Sequence, residues 1–296
     1  MRRIAYWGVA AALGVLALLP RGGAQVLAGW YARARARAVP RLRRTGLQNL
    51  RMAGFANPEA VADGVFRSLG RLILAVGRFP RIHRGNLEEW IRFEGLEHFD
   101  RAMARGKGVL FFTGHLGGWE LSAFAHAFVR GPMDVVVRPL DDPLLDGLLE
   151  RRRRLSGNRV IAKKDAARAI LRSLKEGRAV GILADQNVVR EEGEFVEFFG
   201  VPAATNTAFA RLAFRSGAAV VPGFALWEEA EGRYVLRYYP EVPMPGDALT
   251  DTKRLHALLE QVIREYPDQW LWVHRRWKTR PPGEARASQP ARKPKA

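Results

Sequence analysis

His115 and Glu120 are the two side chains of this sequence best spaced to make a general base. They lie in the run V-L-F-F-T-G-H-L-G-G-W-E-L, residues 109–121, where four apolar residues stop at Thr113-Gly114 and a Gly117-Gly118 pair precedes the carboxylate. On one continuous helix, residues five apart sit about 140° from each other and could not readily touch. The run therefore reads as a buried strand ending before His115 and a helix beginning after it. The glycine pair lets the chain turn sharply. Glu120 then falls in the first helical turn, where the dipole favours a carboxylate. From there Glu120 is expected to accept the Nδ1 proton, fix the tautomer, leave Nε2 free to take a proton and stabilise the resulting imidazolium. A plainer reading is a satisfied histidine at a strand end and an ordinary first-turn glutamate, and other segments must decide.

The elements that position these residues are legible as alternation. Strand candidates recur at 109–112, 135–137, 180–183, 219–224 and 234–238, with helical stretches at 144–155, 166–176 and 207–216. Such a pattern implies an α/β fold, a mixed or mostly parallel sheet flanked by helices. Asn57-Pro58-Glu59 is a cap followed by proline, and Val61, Val65, Leu69, Leu72, Ile73 and Val76 give the following helix an apolar face. A chain of 296 residues can bury one substantial core, so a single catalytic domain is expected.

Composition narrows the chemistry. The absence of cysteine excludes disulfides, thiolate metal sites and cysteine nucleophiles. His83, His98, His115, His126, His256 and His274 show no close ligand spacing, and no metal site is expected. The 114–118 segment lacks the spacing of a phosphate-cradling loop, which makes nucleotide chemistry a poor fit. Asp185, followed by Gln186, could be a metal ligand or catalytic acid; the expectation is that it organises the site by pairing with an arginine, Arg138. His274 either touches substrate phosphates or packs near Trp272 and Trp277.

The balance of 48 Lys+Arg against 30 Asp+Glu gives net +18, which suits nucleic acid, anionic lipid or an acidic carrier protein alike. No aromatic-basic RNA motif or recognition-helix signature is present, so no nucleic acid is expected as a partner. Its distribution is more telling: ten arginines and no acid precede Glu59. Residues 4–19 are uncharged and bracketed by Arg2-Arg3 and Arg21, 16 residues against the roughly 17–25 of a spanning helix. A signal peptide cleaved near residues 22–24 is the alternative. Arg21 and the cluster Arg33, Arg35, Arg37, Arg41, Arg43 and Arg44 resist translocation and favour an anionic cytoplasmic leaflet. The reading is an uncleaved N-terminal membrane anchor over 1–22, a catalytic domain over 23–280 with basic helical segments at its start, and a disordered basic tail over 281–296.

T-G-H-L-G-G-W-E-L resembles the His-x4-acid block of glycerolipid-type acyltransferases, and its Trp-Glu-Leu ending is similar to the late (lauroyl/myristoyl) acyltransferases of lipid A biosynthesis. Further blocks follow in that family's order. Residues 137–146, V-R-P-L-D-D-P-L-L-D, resemble the second, with Arg151 to Arg154 on the next helix; residues 181–187, G-I-L-A-D-Q-N, resemble the third, followed by Phe198-Phe199-Gly200 and Thr205. Residues 267–281, P-D-Q-W-L-W-V-H-R-R-W-K-T-R-P, resemble the terminal signature. One departure is Gly118, where the family often carries Asn.

The resemblance implies transfer of a fatty acyl chain from an acyl-carrier protein thioester to the 3-hydroxyl of a chain already on a lipid A precursor. The placement implied is the cytoplasmic side of the cell inner membrane, beside anionic lipid. His115 would act as base and acid, and no serine or cysteine acyl-enzyme is needed if both substrates bind together. No cofactor is expected, since phosphopantetheine arrives on the donor. Amides near Gly117 and Gly118, or Arg138, are the candidate oxyanion donors. Arg138, Arg151, Arg154, Arg275 and Arg276 are candidate partners for phosphates, carboxylates or the carrier. Arg152 and Arg153 are placed on an exposed helix face as carrier-docking residues. The rival readings are acylation of another glycolipid or an aminolipid, including from acyl-CoA, and a basic membrane-bound binding protein.

Overall fold

The computed structural model describes residues 2–164 and 166–283. Four helices open the chain: α1 (Arg2–Leu18), α2 (Arg21–Ala38), α3 (Pro40–Met52) and α4 (Pro58–Arg78). There follow β1 (Ile91–Glu94), α5 (Leu96–Met103), β2 (Val109–Thr113), α6 (Trp119–Arg130), β3 (Asp134–Val137), α7 (Pro143–Arg154), β4 (Arg159–Ala162), α8 (Ala166–Lys175) and β5 (Ala179–Leu183). The remainder comprises β6 (Glu194–Phe198), β7 (Val201–Thr205), α9 (Ala208–Ser216), β8 (Ala219–Glu228), β9 (Arg233–Tyr238) and α10 (Ala248–Glu265).

Seven strands form one sheet in the order β1-β9-β8-β2-β5-β3-β4, and β6 and β7 form a separate antiparallel hairpin. Within the large sheet every neighbouring pair is parallel except β8 with β9. The α/β expectation, with a mostly parallel sheet flanked by helices, is therefore met. Central β2 explains why its apolar run is continuous rather than alternating, because a strand covered on both faces needs apolar side chains on both. Phe111 packs with Leu74, Phe99 and Phe124 on one face. Leu110 and Phe112 pack with Ile170, Phe209 and Leu259 on the other. Asn57 caps α4 as its sequence suggests, accepting from the Ala60 N–H at 3.2 Å.

The N-terminal anchor is a correction. Among the described residues no helix is long and apolar enough to cross a membrane, so a spanning segment within 1–22 is not supported. Instead α1 turns one side onto the domain. Leu13 and Leu16 are buried, and Leu16 comes so close to α4 that a Cβ on Gly77 would lie 2.8 Å from it. Arg78 of α4 closes the end of α1 by donating to the carbonyls of Ala17 and Leu19 at 3.1 and 2.5 Å. The other side of α1, with Ile4, Trp7, Val15 and Leu18, remains exposed. From residue 284 onward the expected disordered tail lies outside the described residues.

Candidate active site

β2 and β5 are parallel neighbours whose register pairs Thr113 with Leu183. Two residues beyond each partner stand His115 and Asp185, so the register alone brings the imidazole and this carboxylate to one level above the sheet. His115 Nδ1 lies 2.7 Å from Asp185 Oδ1, and the His115 backbone N–H donates to Oδ2 at 2.8 Å. Trp270 Nε1 donates to the same Oδ2 at 2.8 Å. Asp185 is only 2% exposed. Burial opposes its ionisation, yet the facing His115 ring and the donors from His115 and Trp270 outweigh that and hold the carboxyl well below the usual range. An ionised carboxylate only accepts, so Nδ1 must carry the hydrogen, and the nitrogen left to act as a base is Nε2. Gln186 Nε2 stands 3.3 Å from that nitrogen.

The chain can approach this closely because Gly114 has no side chain: a Cβ there would lie 3.2 Å from the Asp185 carboxyl. Gly117 is more constrained still. Its φ is +59°, and a Cβ would fall 2.0 Å from the Ala225 carbonyl oxygen, so only glycine fits.

Glu120 begins α6 as expected, but it does not orient His115. Arg153 from α7 takes both of its oxygens, Nε to Oε2 at 2.8 Å and Nη2 to Oε1 at 2.6 Å, with each side chain 14% exposed. Burial works against the Arg153 charge, and the Glu120 bonds more than compensate and raise its pKa. The carboxylate on the imidazole is thus Asp185, delivered by a neighbouring strand, while Glu120 ties α6 to α7.

Several other expected roles change with geometry. Asp185 does not pair with Arg138, which is 73% exposed and bonds Asp141 at the rim. The Gly117 and Gly118 amides already donate to the carbonyls of Gln269 and Ala225, at 2.9 and 2.8 Å, and are not free for an oxyanion. Arg152 donates to the Val76 and Gly77 carbonyls at the end of α4, so neither it nor Arg153 is a free docking charge. Arg151 reaches the Tyr6 hydroxyl at 3.3 Å, and Arg154 pairs with Glu150 one turn back. Arg275 is half-buried and outside the groove described below. Arg276 is fully buried, donating to the Ala204 carbonyl and Thr205 Oγ1 and lying 5.5 Å over the Phe198 ring, which removes it from contact with substrate. His274 packs: its Nε2 accepts from the Asn187 N–H at 3.2 Å, and burial lowers its pKa to about 4, so it is neutral.

The terminal signature is consequently a scaffold behind the site. Trp270 fixes Asp185, Gln269 bonds both backbone groups of Trp227, and His274 and Thr279 hold Asn187. Trp270, Trp272, Trp277, Phe198 and Phe199 interlock around them.

His115 and Gln186 line a groove of about 680 Å³ that extends past Arg138 and Lys163. Trp119, Glu120, Val137, Arg153 and Leu183 border both this groove and a narrow apolar chamber. That chamber runs between the sheet and α6 toward His126 and Tyr238, whose Nδ1 and hydroxyl are 2.9 Å apart. Gly181 and Gly223, two strand glycines, help to leave the space. No group of three or more His, Cys, Asp or Glu side chains among the described residues could hold a metal ion.

Residues 1–279 match the family described as bacterial lipid A biosynthesis acyltransferase. The lipid A biosynthesis palmitoleoyltransferase of Escherichia coli (strain K12) is 30% identical over 223 residues, 74% of this chain and 72% of that protein. The lipid A biosynthesis lauroyltransferase of the same organism is 31% identical over 221 residues, 74% and 72% of the two chains. Its lipid A biosynthesis myristoyltransferase is 26% identical over 290 residues, covering 94% of this chain and 89% of the relative. The chain belongs to the bacterial lipid A biosynthesis acyltransferase family and is an O-acyltransferase.

Proposed function

We propose that this acyltransferase moves a fatty acyl chain from an acyl-carrier protein thioester to a hydroxyl of a lipid A precursor, with His115 as the base and Asp185 as the group that orients it. One observation carries the reading: Nδ1 is committed to Asp185 while Nε2 faces a groove that continues into an apolar chamber. In this scheme the acyl chain occupies the chamber and the acceptor lies along the groove. Nε2 takes the hydroxyl proton as the oxygen attacks the thioester carbon. The tetrahedral intermediate then expels the thiolate, which recovers the proton from the imidazolium, leaving ester and thiol. Asp185 stabilises that imidazolium throughout. No acyl-enzyme is required and no cofactor beyond the donor's own phosphopantetheine.

The cation-rich rim around Arg138 and Lys163 suits a phosphorylated acceptor or an acidic carrier. Placement at the cytoplasmic face of the inner membrane fits the outward stripe of α1 and the exposed Val26 and Leu27 of α2, set in a segment with ten arginines and no acid. Such a surface is suited to lying in the interface. The test is mass spectrometry of the product formed by purified enzyme from defined acyl-carrier donors and lipid A precursor in anionic vesicles. A new ester on the precursor, absent with His115→Ala, supports the reading. Equal turnover by His115→Ala under saturating substrates would remove it.

A further inference from the structure

The reaction needs a hydrogen-bond donor for the oxygen that becomes negative in the tetrahedral intermediate, and the amides of Gly117 and Gly118 are both spent on backbone carbonyls. The segment after β5 offers another. Of its three consecutive polar residues, Asp185 is buried and fixed by His115 and Trp270. Asn187 is fixed through His274 and Thr279, its N–H donating to His274 Nε2 at 3.2 Å, its Nδ2 donating to Thr279 Oγ1 at 3.1 Å and its Oδ1 accepting from the Thr279 N–H at 3.1 Å. Gln186, between two anchored neighbours, lines the groove. Its side-chain amide has one polar partner among the described residues, His115 Nε2.

That partner must be surrendered in catalysis. The acceptor hydroxyl has to donate to Nε2, so its oxygen takes the place now filled by the Gln186 N–H, and the thioester carbon is one bond beyond. We infer that Gln186, displaced from His115 by the acceptor hydroxyl, donates its side-chain N–H to the thioester carbonyl oxygen as that oxygen gains charge. In the free enzyme the same amide occupies the lone pair of the base. No proton is transferred by Gln186: the oxygen accepts a hydrogen bond, returns to a carbonyl when the thiolate leaves, and the base and proton inventory is that of His115 alone. The carboxylate of Asp185 on one side of Gln186 and the backbone N–H and side chain of Asn187 on the other are both held, which limits where the Gln186 amide can go and supplies the preorganisation that such a donor requires.

This inference rests on the assignment of His115 as base, and the experiment separates the two. With carrier-bound acyl donor and lipid A precursor in vesicles, Gln186→Ala and the near-isosteric, uncharged Gln186→Met, which has no amide hydrogen, are compared with wild type and His115→Ala across pH. Loss of one oxyanion donor commonly costs about 10²–10³-fold in kcat. The expected result is a fall of that size in the kcat plateau for both variants, with the acidic limb of the profile and both KM values within about threefold of wild type. Thermal melts check that the variants are folded. A shifted acidic limb with kcat recovered at its new optimum would make Gln186 a positioning residue for His115 and overturn the inference. A raised acceptor KM with kcat retained would make it an acceptor contact and likewise overturn it. Turnover within threefold of wild type in Gln186→Ala, with His115→Ala inactive, would place the oxyanion donor elsewhere while leaving the base intact. Activity retained in His115→Ala would remove the base assignment and this inference with it.

Discussion

Two carboxylates flank His115, and they do different work because their neighbours differ. Asp185 meets donors that leave the imidazole in one orientation: the His115 amide, the His115 ring and the Trp270 indole. Glu120 meets a single bidentate guanidinium from α7. The first arrangement holds an ionised acceptor against a titratable ring. The second neutralises a charge and cross-links two helices at the entrance of the apolar chamber. Proximity in sequence favours Glu120, whereas hydrogen-bond geometry favours Asp185.

The largest expected effect tests that division directly. Asp185→Asn keeps the shape but offers the Nδ1 hydrogen a different partner and favours the wrong tautomer; in a comparable His–carboxylate arrangement such a change costs about 10⁴-fold in kcat. Glu120→Gln should lose less than about tenfold once the protein is folded, because its hydrogen bonds go to Arg153 and, among the described residues, none joins it to the imidazole; general-base removal itself costs about 10²–10⁴-fold. Steady-state kinetics on both variants decides the matter. If Glu120→Gln is the more damaging to kcat at a temperature where both are folded, the roles assigned to the two carboxylates are reversed.

Stability should rank the pair the other way for a truncation. Glu120→Ala strands a mostly buried Arg153, and breaking such a pair costs about 3–5 kcal/mol when fully buried, somewhat less at 14% exposure. Replacing both partners, Glu120→Met with Arg153→Met, should recover much of that loss, since apolar substitution of a buried pair is often neutral. Urea melts of the single and double variants measure it. Failure of the double variant to recover would mean that Glu120 and Arg153 have further partners in the folded state.

How much of this the sequence carries follows from the separation of the partners. The strand ending at Thr113, the helix starting after Gly118 and the placement of Glu120 in its first turn are local properties, and each is present. The Asp185 contact spans 70 residues and depends on β2 and β5 being neighbours. A signal for it exists: V-L-F-F-T-G-H and V-G-I-L-A-D both run from buried strand through a small residue to a polar one. Strand order, which turns that likeness into a contact, is a property of the whole sheet. Edge strands β1 and β4 lack any comparable apolar run, carrying Arg92, Glu94 and Arg159 where an edge meets water. Among the arginines, sequence gives the charge but not the burial, so Arg276 and Arg153 read as surface groups although each is held inside.

Acid should erode the two regions through their histidines before it reaches Asp185. Burial lowers His256 and His274, behind the dyad, to about 4, and His126, at the chamber end, to about 3, all from an ordinary 6.5. In each case the unfolded chain binds a proton that the folded chain refuses, so stability rises with pH; it is intact above 6.5 and lost as pH falls toward the folded values. Each histidine contributes at most about 1.4 kcal/mol per pH unit over that window. Asp185, whose pKa is depressed below 3.8, has its stabilisation withdrawn only at still lower pH. Urea melts at pH 7 and pH 5 should therefore differ, and His274→Gln, which keeps an acceptor for the Asn187 N–H, should reduce the difference. An unchanged pH dependence in that variant would mean that His274 protonates freely in the folded protein.

The smallest effect is expected on the chamber side, where selectivity rather than rate is at stake. Gly223 lines the chamber, and a Cβ there would sit 3.7 Å from the Phe111 ring and from the Arg237 carbonyl oxygen, in ordinary contact with no backbone strain. Gly223→Ala should fold normally and fill space equal to one methyl group. A single methylene in an apolar pocket is worth about 1–3 kcal/mol of discrimination, roughly 10–200-fold, and partial accommodation by the chamber brings the expected change to about fivefold. Competition between carrier-bound donors of graded chain length should show the longest accepted donor losing kcat/KM by that factor, with shorter donors and the His115-dependent pH profile unchanged. A uniform loss across all chain lengths would mean that the substitution disturbs β8 rather than the chamber. No change at any length would place the acyl chain outside the chamber, and the contrast between the two sides of His115 would then concern the dyad alone.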